Sequence, residues 1–323
     1  MGRVFSGARP TGRQHIGNYI GAIKNYVALQ NEYECFYCVV DLHALMSWNR
    51  EDNLRENTYE MVLDWLAAGL DPSRSALLLQ SKVPEHAELH LILSMVTPMG
   101  WLTRVPTFKE KVRQQPDNVN YGLLGYPVLM AGDIILYKAD TVPVGEDQLP
   151  HLELTREIVR RFNTTFGDTF PEPFAKLTEQ PRVLGIDGVQ KMSKSLNNHI
   201  ELSASPAETE QRVKSMVTDP ARVYRKDPGH PEVCNVYSLH KFYSASELEE
   251  IGRDCRAARI GCVDCKKKLA QHLNRDLEPF RERRATFASD PNYVWDVLAD
   301  GSARARAVAQ QTMAEVKAKV GLG

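Results

Sequence analysis

Short continuous apolar runs alternate with amphipathic stretches through the first half of the chain. Residues 3–5 predict a short strand ending at Ser6-Gly7, and residues 35–40 a strand buried on both faces, as in a parallel sheet. Residues 76–79 and 141–144 predict two more strands. Between them, residues 18–30 predict a helix with Ile20, Ile23 and Val27 on one face, and residues 51–69 a helix carrying Leu54, Tyr59, Val62 and Leu66 at helical spacing. Strands alternating with helices predict an α/β fold, a Rossmann-like doubly wound parallel sheet. After about Gly188 the strand pattern fades. From Pro206 the chain is helical and charged, broken by turns at Asp227-Pro228-Gly229 and Asp290-Pro291-Asn292. The expected organisation is an α/β domain over residues 1–188 and a C-terminal helical domain over residues 189–323, with the last helix packing back on the first domain.

A length of 323 residues suits about two domains. The apolar fraction of 43% and charged fraction of 25% exclude disordered, collagenous and coiled-coil classes. No apolar run approaches the roughly 18 residues of a membrane helix, and Arg3 is followed by no signal-like apolar stretch. Together these predict a cytoplasmic protein with no membrane partner. The net charge is −1, unevenly spread: residues 255–323 carry 13 Lys+Arg against 8 Asp+Glu. A basic C-terminal part can offer nucleic acid a local footprint, but on charge alone a solvated helical surface is the better account.

The chain has no G-x-G-x-x-G after a strand, no G-x-x-x-x-G-K-[ST] and no H-E-x-x-H, so dinucleotide, Walker-type and zinc-protease readings lack support. Pro10-Thr11-Gly12-Arg13-Gln14-His15-Ile16-Gly17-Asn18 lies where the first strand turns into the first helix, a place that presents backbone N–H groups to an anion. Taken alone, it reads better as a capped helix start with an exposed histidine. Lys191-Met192-Ser193-Lys194-Ser195 is far more specific: a given five-residue string arises by chance with odds on the order of 10⁻⁴. Two lysines three apart, with hydroxyls between and Gly185 and Gly188 before them, suit a loop that closes on a polyphosphate.

Together the two segments resemble the HIGH and KMSKS signatures of the class I aminoacyl-tRNA synthetases. Ser6-Gly7-Ala8-Arg9-Pro10-Thr11-Gly12, Gly17-Asn18-Tyr19-Ile20-Gly21-Ala22, Pro143-Val144-Gly145-Glu146-Asp147-Gln148 and His151-Leu152-Glu153-Leu154-Thr155-Arg156 resemble blocks of the tryptophan-charging family in that class. The resemblance implies ATP with Mg²⁺, L-tryptophan and tRNA-Trp as substrates, a tryptophanyl-adenylate intermediate and a homodimer. Arg9, Pro10, Thr11, Gly17 and Asn18 would line the ATP site, with Thr11 and His15 catalytic. Gly145, Glu146 and Asp147 would hold the ribose, and the Val183 backbone the adenine. Lys111 would reach the phosphates beside Lys191 and Lys194, in the loop that Met192, Ser193 and Ser195 complete. Two alternatives are tyrosine charging and, from a different functional class, a synthetase paralogue that mainly binds or regulates. The 143–148 block and Asp133 argue against the first, and the intact lysine loop against lost catalysis.

Asp133 lies in the apolar helical stretch 129–136, where an acid is costly unless paired. An indole N–H is only a donor and a carboxylate only an acceptor, so each completes the other. The resemblance implies that Asp133 reads the indole, that Tyr126 and Gln148 bind the α-amino group, and that Phe5, His43, Met130 and Val144 wall the ring. Many family members have Gln where this chain has Arg9; a guanidinium there serves the substrate carboxylate or a phosphate.

Six cysteines fall into two groups. Cys35 and Cys38, three apart on a strand, face opposite sides and are expected in the core. Cys234, Cys255, Cys262 and Cys265 suit a four-thiolate site, and spacing does not choose between Zn²⁺ and a [4Fe–4S] cluster. The resemblance favours the cluster, which a subset of the family carries in its anticodon-binding domain. Lys266, Lys267 and Lys268 follow directly.

Overall fold

The computed structural model describes residues 2–47, 53–114, 116–177 and 183–322, with only the backbone at Ser47, Lys111 and Gln114. Five strands, β1 (Arg3–Ala8), β2 (Glu34–Val39), β3 (Ser75–Leu79), β4 (Thr141–Val144) and β5 (Phe174–Leu177), form one sheet in the order β3-β2-β1-β4-β5. Every pairing is parallel. β2 alternates its side chains between two cores: Phe36 and Cys38 on one face, Cys35, Tyr37 and Val39 on the other. Cys35 and Cys38 are therefore both buried, on opposite sides of the sheet, as the two-residue strand period requires.

The helices of the α/β part are α1 (Ile16–Asn18), α2 (Lys24–Leu29), α3 (Asp41–Ala44), α4 (Leu54–Ala68), α5 (Glu85–Val96), α6 (Met99–Leu102), α7 (Pro106–Gln114), α8 (Tyr121–Ile135) and α9 (Leu149–Phe166). A π-helical turn at Tyr19–Ile23 joins α1 to α2, so the helix expected over residues 18–30 is continuous but not regular. β1 runs three residues past its expected end, and the expected start of α4, at residues 51–52, lies outside the described residues. β5 went unread. Its four residues include exposed Phe174 and Leu177, and no apolar run marks it.

The remainder is helical: α10 (Pro206–Ser215), α11 (Asn235–Tyr243), α12 (Leu248–Arg256), α13 (Cys262–Ala288) and α14 (Tyr293–Val320). A third core joins the two parts, because Ile16 and Ala67 pack with Val183, Met192, Ile200, Leu273 and Phe280. α14 returns across the edge strand β3. A Cβ on Gly301 would stand 2.0 Å from the Leu77 carbonyl oxygen, so only glycine allows this approach. Ser302 Oγ accepts the Leu79 N–H at 3.1 Å, and Arg304 donates to the carbonyls of Pro72 and Ser75 at 2.6 and 3.1 Å. The helix thereby covers an edge that would otherwise offer free backbone groups.

Candidate active site

The strand order reverses between β1 and β4, and in such sheets ligands bind at the carboxyl ends of the strands beside the reversal. A single register pair, Val4 with Thr141, joins the two strands, against six between β1 and β2. The turn after β1 enters this crevice. Gly12 has φ +75°, a left-handed conformation that favours glycine, and a Cβ there would meet Asn57 Oδ1 of α4 at 2.8 Å. His15 caps α1 reciprocally with Asn18: His15 Nδ1 accepts the Asn18 N–H at 3.2 Å, and Asn18 Oδ1 accepts the His15 N–H at 3.0 Å. Burial, then the nearby His199, Lys194 and Lys191, bring the His15 imidazole down from 6.5 to about 3. It is neutral at physiological pH, and with Nδ1 accepting, its proton sits on Nε2 as a donor.

Residues 183–192 form a narrow hairpin in which Met192 N–H donates to Val183 O at 3.0 Å and Gly185 N–H to Gln190 O at 2.9 Å. Asn198 secures the loop beyond it, accepting the Ser193 N–H at 2.7 Å and donating to Asp187 at 2.6 Å. The segment after it pairs with the first turn, Ile16 N–H donating to Ile200 O at 3.0 Å and Leu202 N–H to Gln14 O at 2.9 Å. Met192 is buried in the third core, which anchors the loop while leaving Lys191 and Ser195 exposed. Lys194 Nζ reaches the Thr11 carbonyl at 2.7 Å. Burial lowers its pKa, an effect the nearby Glu201 and Asp64 oppose. A partly desolvated ammonium of this kind gains strongly from an anion.

A cavity of ≈ 220 Å³ is lined by His43, His90, Tyr121, Gly125, Tyr126 and Leu129, among others. Tyr126 bonds to Thr107 Oγ1 at 2.7 Å and lies 3.4 Å from His151 Nε2. Asp133 is behind the cavity wall rather than on it. His43 Nε2–H donates to its Oδ2 at 2.8 Å, Gln80 Nε2 donates to Oδ1 at 2.8 Å, and His86 Nδ1 lies 2.7 Å from Oδ1. Burial pushes this carboxyl up, but His86 and His43 outweigh it and hold the pKa down at about 2.

The structure thus brings Thr11, His15 and Gly17 together with Lys191, Met192 and Lys194; Arg9 and Pro10 lead into the turn, Asn18 caps it with His15, and Ser193 and Ser195 bond to each other in the loop. Phe5, Val144 and Met130 share one core with β1 and α8. Gly145, Glu146, Asp147 and Gln148 follow β4, where Gln148 donates to Asp147 at 2.7 Å. The Val183 carbonyl already accepts Met192 N–H. Lys111 falls on α7, and its side chain lies outside the described residues. Sequence reasoning missed Gln80 and His86 as partners of Asp133, and Thr107 and His151 as partners of Tyr126. Only the block beginning at His151 carried any signal for them.

The four downstream cysteines lie within electrostatic reach of one another. Burial, then Cys234, Cys255 and Cys262, push the Cys265 thiol up to about 12. Arg222 Nη1 lies 3.7 Å from Cys255 Sγ, and His240 Nε2 lies 3.4 Å from Cys265 Sγ. The donor set suits thiolate-bound metal. Among the described residues, however, no group of three or more His, Cys, Asp or Glu side chains is already arranged to hold an ion.

A family model described as tRNA synthetases class I (W and Y) matches residues 2–278. The tryptophan–tRNA ligase of Deinococcus radiodurans is 49% identical over 327 residues, covering 99% of each chain. That of Thermotoga maritima is 48% identical over 326 residues, again covering 99% of each. Among solved structures, the tryptophanyl-tRNA synthetase of Campylobacter jejuni complexed with ADP and tryptophan superposes with a TM-score of 0.90 at 35% identity, covering 99% of this chain and 100% of that one.

Proposed function

This chain belongs to the class I tRNA synthetases of tryptophan and tyrosine, and from that premise we infer that its crevice performs the ATP-dependent ligation of L-tryptophan to tRNA-Trp. In the first step a tryptophan carboxylate oxygen attacks the α-phosphorus of ATP. The bond to the bridging oxygen breaks, and pyrophosphate leaves with its electron pair. In the second, a ribose hydroxyl at the tRNA 3′ end attacks the adenylate carbonyl and AMP leaves. No side chain forms a covalent bond, so catalysis is positioning plus stabilisation of charge on the transferring phosphate. Mg²⁺ enters with ATP and supplies charge neutralisation at the phosphates.

The observation that carries the residue assignments is the meeting of Lys194 with Thr11 at the mouth of the β1–β4 crevice. Lys191 and Lys194 neutralise the departing pyrophosphate, and neutral His15 offers its Nε2–H to a phosphate oxygen. Thr11, Pro10, Gly17 and Asn18 bed the nucleotide. Gly145, Glu146 and Asp147 hold the ribose, Val183 the adenine edge, and Lys111 joins the phosphate lysines. Arg9 is a bidentate donor for a substrate anion. Tyr126 and Gln148 take the α-amino group, and Phe5, His43, Met130 and Val144 wall the indole. Asp133 has about four lone-pair sites and three partners, which leaves it one site for the indole N–H.

The helical part, residues 189–323, binds the anticodon arm in this reading, and the four thiols of Cys234, Cys255, Cys262 and Cys265 close on a [4Fe–4S] cluster that braces it, with Zn²⁺ as the alternative. Leu91, Met95 and Met99, exposed on α5 and α6, supply the apolar face of a homodimer. No described helix is long and apolar enough to cross a membrane; the cytosol is the proposed compartment. Pyrophosphate exchange into ATP, measured with tryptophan and with tyrosine, tests the reading. Exchange with tryptophan alone supports it, and exchange with tyrosine alone or with neither refutes it.

A further inference from the structure

Asp64, on α4, is fully buried and lies outside the adenylation chemistry. Its Oδ2 accepts the Gln14 backbone N–H at 2.5 Å, and its Oδ1 accepts Arg284 Nε at 2.6 Å. Arg284 also bonds Glu60 on α4, and Glu60 holds Arg13 at 2.8 Å. Both Arg13 and Gln14, consecutive in the turn that precedes His15, are thus tied to α4 carboxylates, and one arginine from α13 holds both carboxylates. The neighbouring Arg283 donates to the Ala67 carbonyl near the end of α4 at 2.7 Å, which fixes α13 on the same helix. The turn itself is packed flat on α4, with Gly12 against Asn57.

We propose that Asp64 is a positioning residue for the ATP turn: paired with Arg284, it fixes the Gln14 amide and the backbone from Thr11 to His15, so that the docking of α13 on α4 sets the geometry in which MgATP binds. The proposal rests on the reading of that turn as the nucleotide site. Asp64 faces Glu60 on its own helix, Arg13 from the turn, Lys194 from the lysine loop and Arg284 from α13. Burial pushes its carboxyl up, and Arg284 pulls against it, leaving a pKa of about 6. A proton taken up there removes the charge that Arg284 holds. The use of ATP therefore falls on the acid side with a midpoint near pH 6, a window in which His15, at about 3, stays neutral.

The test is pyrophosphate exchange by the full chain at saturating tryptophan, with ATP varied between about pH 5 and 8, for the wild type, Asp64→Asn and Arg284→Lys. Asparagine keeps an acceptor for Gln14 and removes the charge. Displacements of about 1 Å at a reacting group cost up to roughly a hundredfold, so the expected rise in the KM for ATP is about tenfold in Asp64→Asn and smaller in Arg284→Lys. The KM for tryptophan stays within about twofold. The acid limb disappears in Asp64→Asn and survives in Arg284→Lys. An unchanged KM for ATP in both variants, or an acid limb that persists in Asp64→Asn, overturns the proposal. If Asp64→Asn does not fold by circular dichroism, an unchanged KM for ATP in Arg284→Lys or a wild type without the limb overturns it alone. A wild type without tryptophan-dependent exchange refutes instead the nucleotide reading beneath it.

Discussion

Lys194 Nζ donates to the Thr11 carbonyl at 2.7 Å across a sequence separation of 183 residues. A neutral carbonyl is a modest partner for an ammonium that burial has partly stripped of water. A phosphate oxygen adds the attraction of an opposite charge to the same bond. The free chain therefore keeps this cation in place beside the turn and under-compensated, which is the state that favours exchange of the carbonyl for an anion.

Lys194→Ala is expected to lower the kcat of tryptophan-dependent pyrophosphate exchange by roughly 10²–10³-fold, the usual cost of removing one preorganised donor from developing charge. The KM for tryptophan should change little, because the proposed role puts the lysine on the phosphate side. A variant with wild-type kcat and an altered tryptophan KM would show the role to be wrong.

Asp133→Ala leaves the donors of His43 and Gln80 without their acceptor inside the protein. Each buried unsatisfied group costs about 1–3 kcal/mol, so the variant should melt lower and lose most of its adenylation. The wild type should reject phenylalanine by roughly 10⁴–10⁵, as sites built around a buried hydrogen bond do. Steady-state exchange with both amino acids checks this; efficient use of phenylalanine by the wild type contradicts the indole assignment.

His15 has an ordinary pKa of 6.5 when unfolded and about 3 in the folded chain. Between those values the unfolded chain binds a proton that the folded chain refuses. Stability therefore falls as pH drops from about 6.5 toward 3, by at most about 1.4 kcal/mol per pH unit for this one group. His15→Asn keeps an N-cap residue type and removes the titration. Urea midpoints at about pH 6.5, 5.5 and 4.5 should decline less steeply in the variant; identical slopes would count against a buried neutral imidazole.

Gly301→Ala sets a gain against a clash. Replacing a helical glycine gains about 1 kcal/mol in propensity, but the new Cβ would sit 2.0 Å from Leu77 O on β3. A backbone oxygen cannot move aside as a side chain can, so the clash wins and α14 must lift off the edge strand. Overpacking costs typically about 1–3 kcal/mol, and a backbone clash belongs at the upper end, so after the propensity gain of about 1 kcal/mol thermal melting should show a net loss of about 1–2 kcal/mol. A variant as stable as the wild type would mean that α14 does not seat so closely.

Protein purified without oxygen is expected to contain iron and sulfide and to absorb broadly near about 400 nm, as thiolate-ligated clusters do. Single Cys→Ser changes at Cys255 or Cys262 should slow tRNA charging more than pyrophosphate exchange. One zinc and no iron would leave a metal site and remove the cluster; neither metal would remove both.

The strands that form the centre of the sheet were legible because burial on both faces writes an uninterrupted apolar run, as at Phe36, Tyr37 and Cys38. β5 was not, since an edge strand with exposed Phe174 and Leu177 needs no such run. The lysine loop stood out because a local string marks it, needing no contact from elsewhere in the chain. The support of Asp133 was hidden, because Gln80 and His86 reach it from other elements and no sequence period links them. Asp64 and Arg284 stand 220 residues apart, and an aspartate on an amphipathic helix reads as surface until the helix that covers it is known. The π-helical turn after Asn18 likewise leaves no trace in apolar spacing.

β1 and β2 are laddered along their whole six-residue length, whereas β1 and β4 share a single register pair, Val4 with Thr141. In mechanical terms the sheet is two stiff plates, β3-β2-β1 and β4-β5, fastened by one rivet. One plate carries the turn with Thr11 and His15, and the other carries Gly145 to Gln148. Their opening angle can change without breaking a ladder within either plate. The resistance to that flexing comes from the side chains packed over the seam, Phe5, Val144 and their neighbours, rather than from backbone hydrogen bonds.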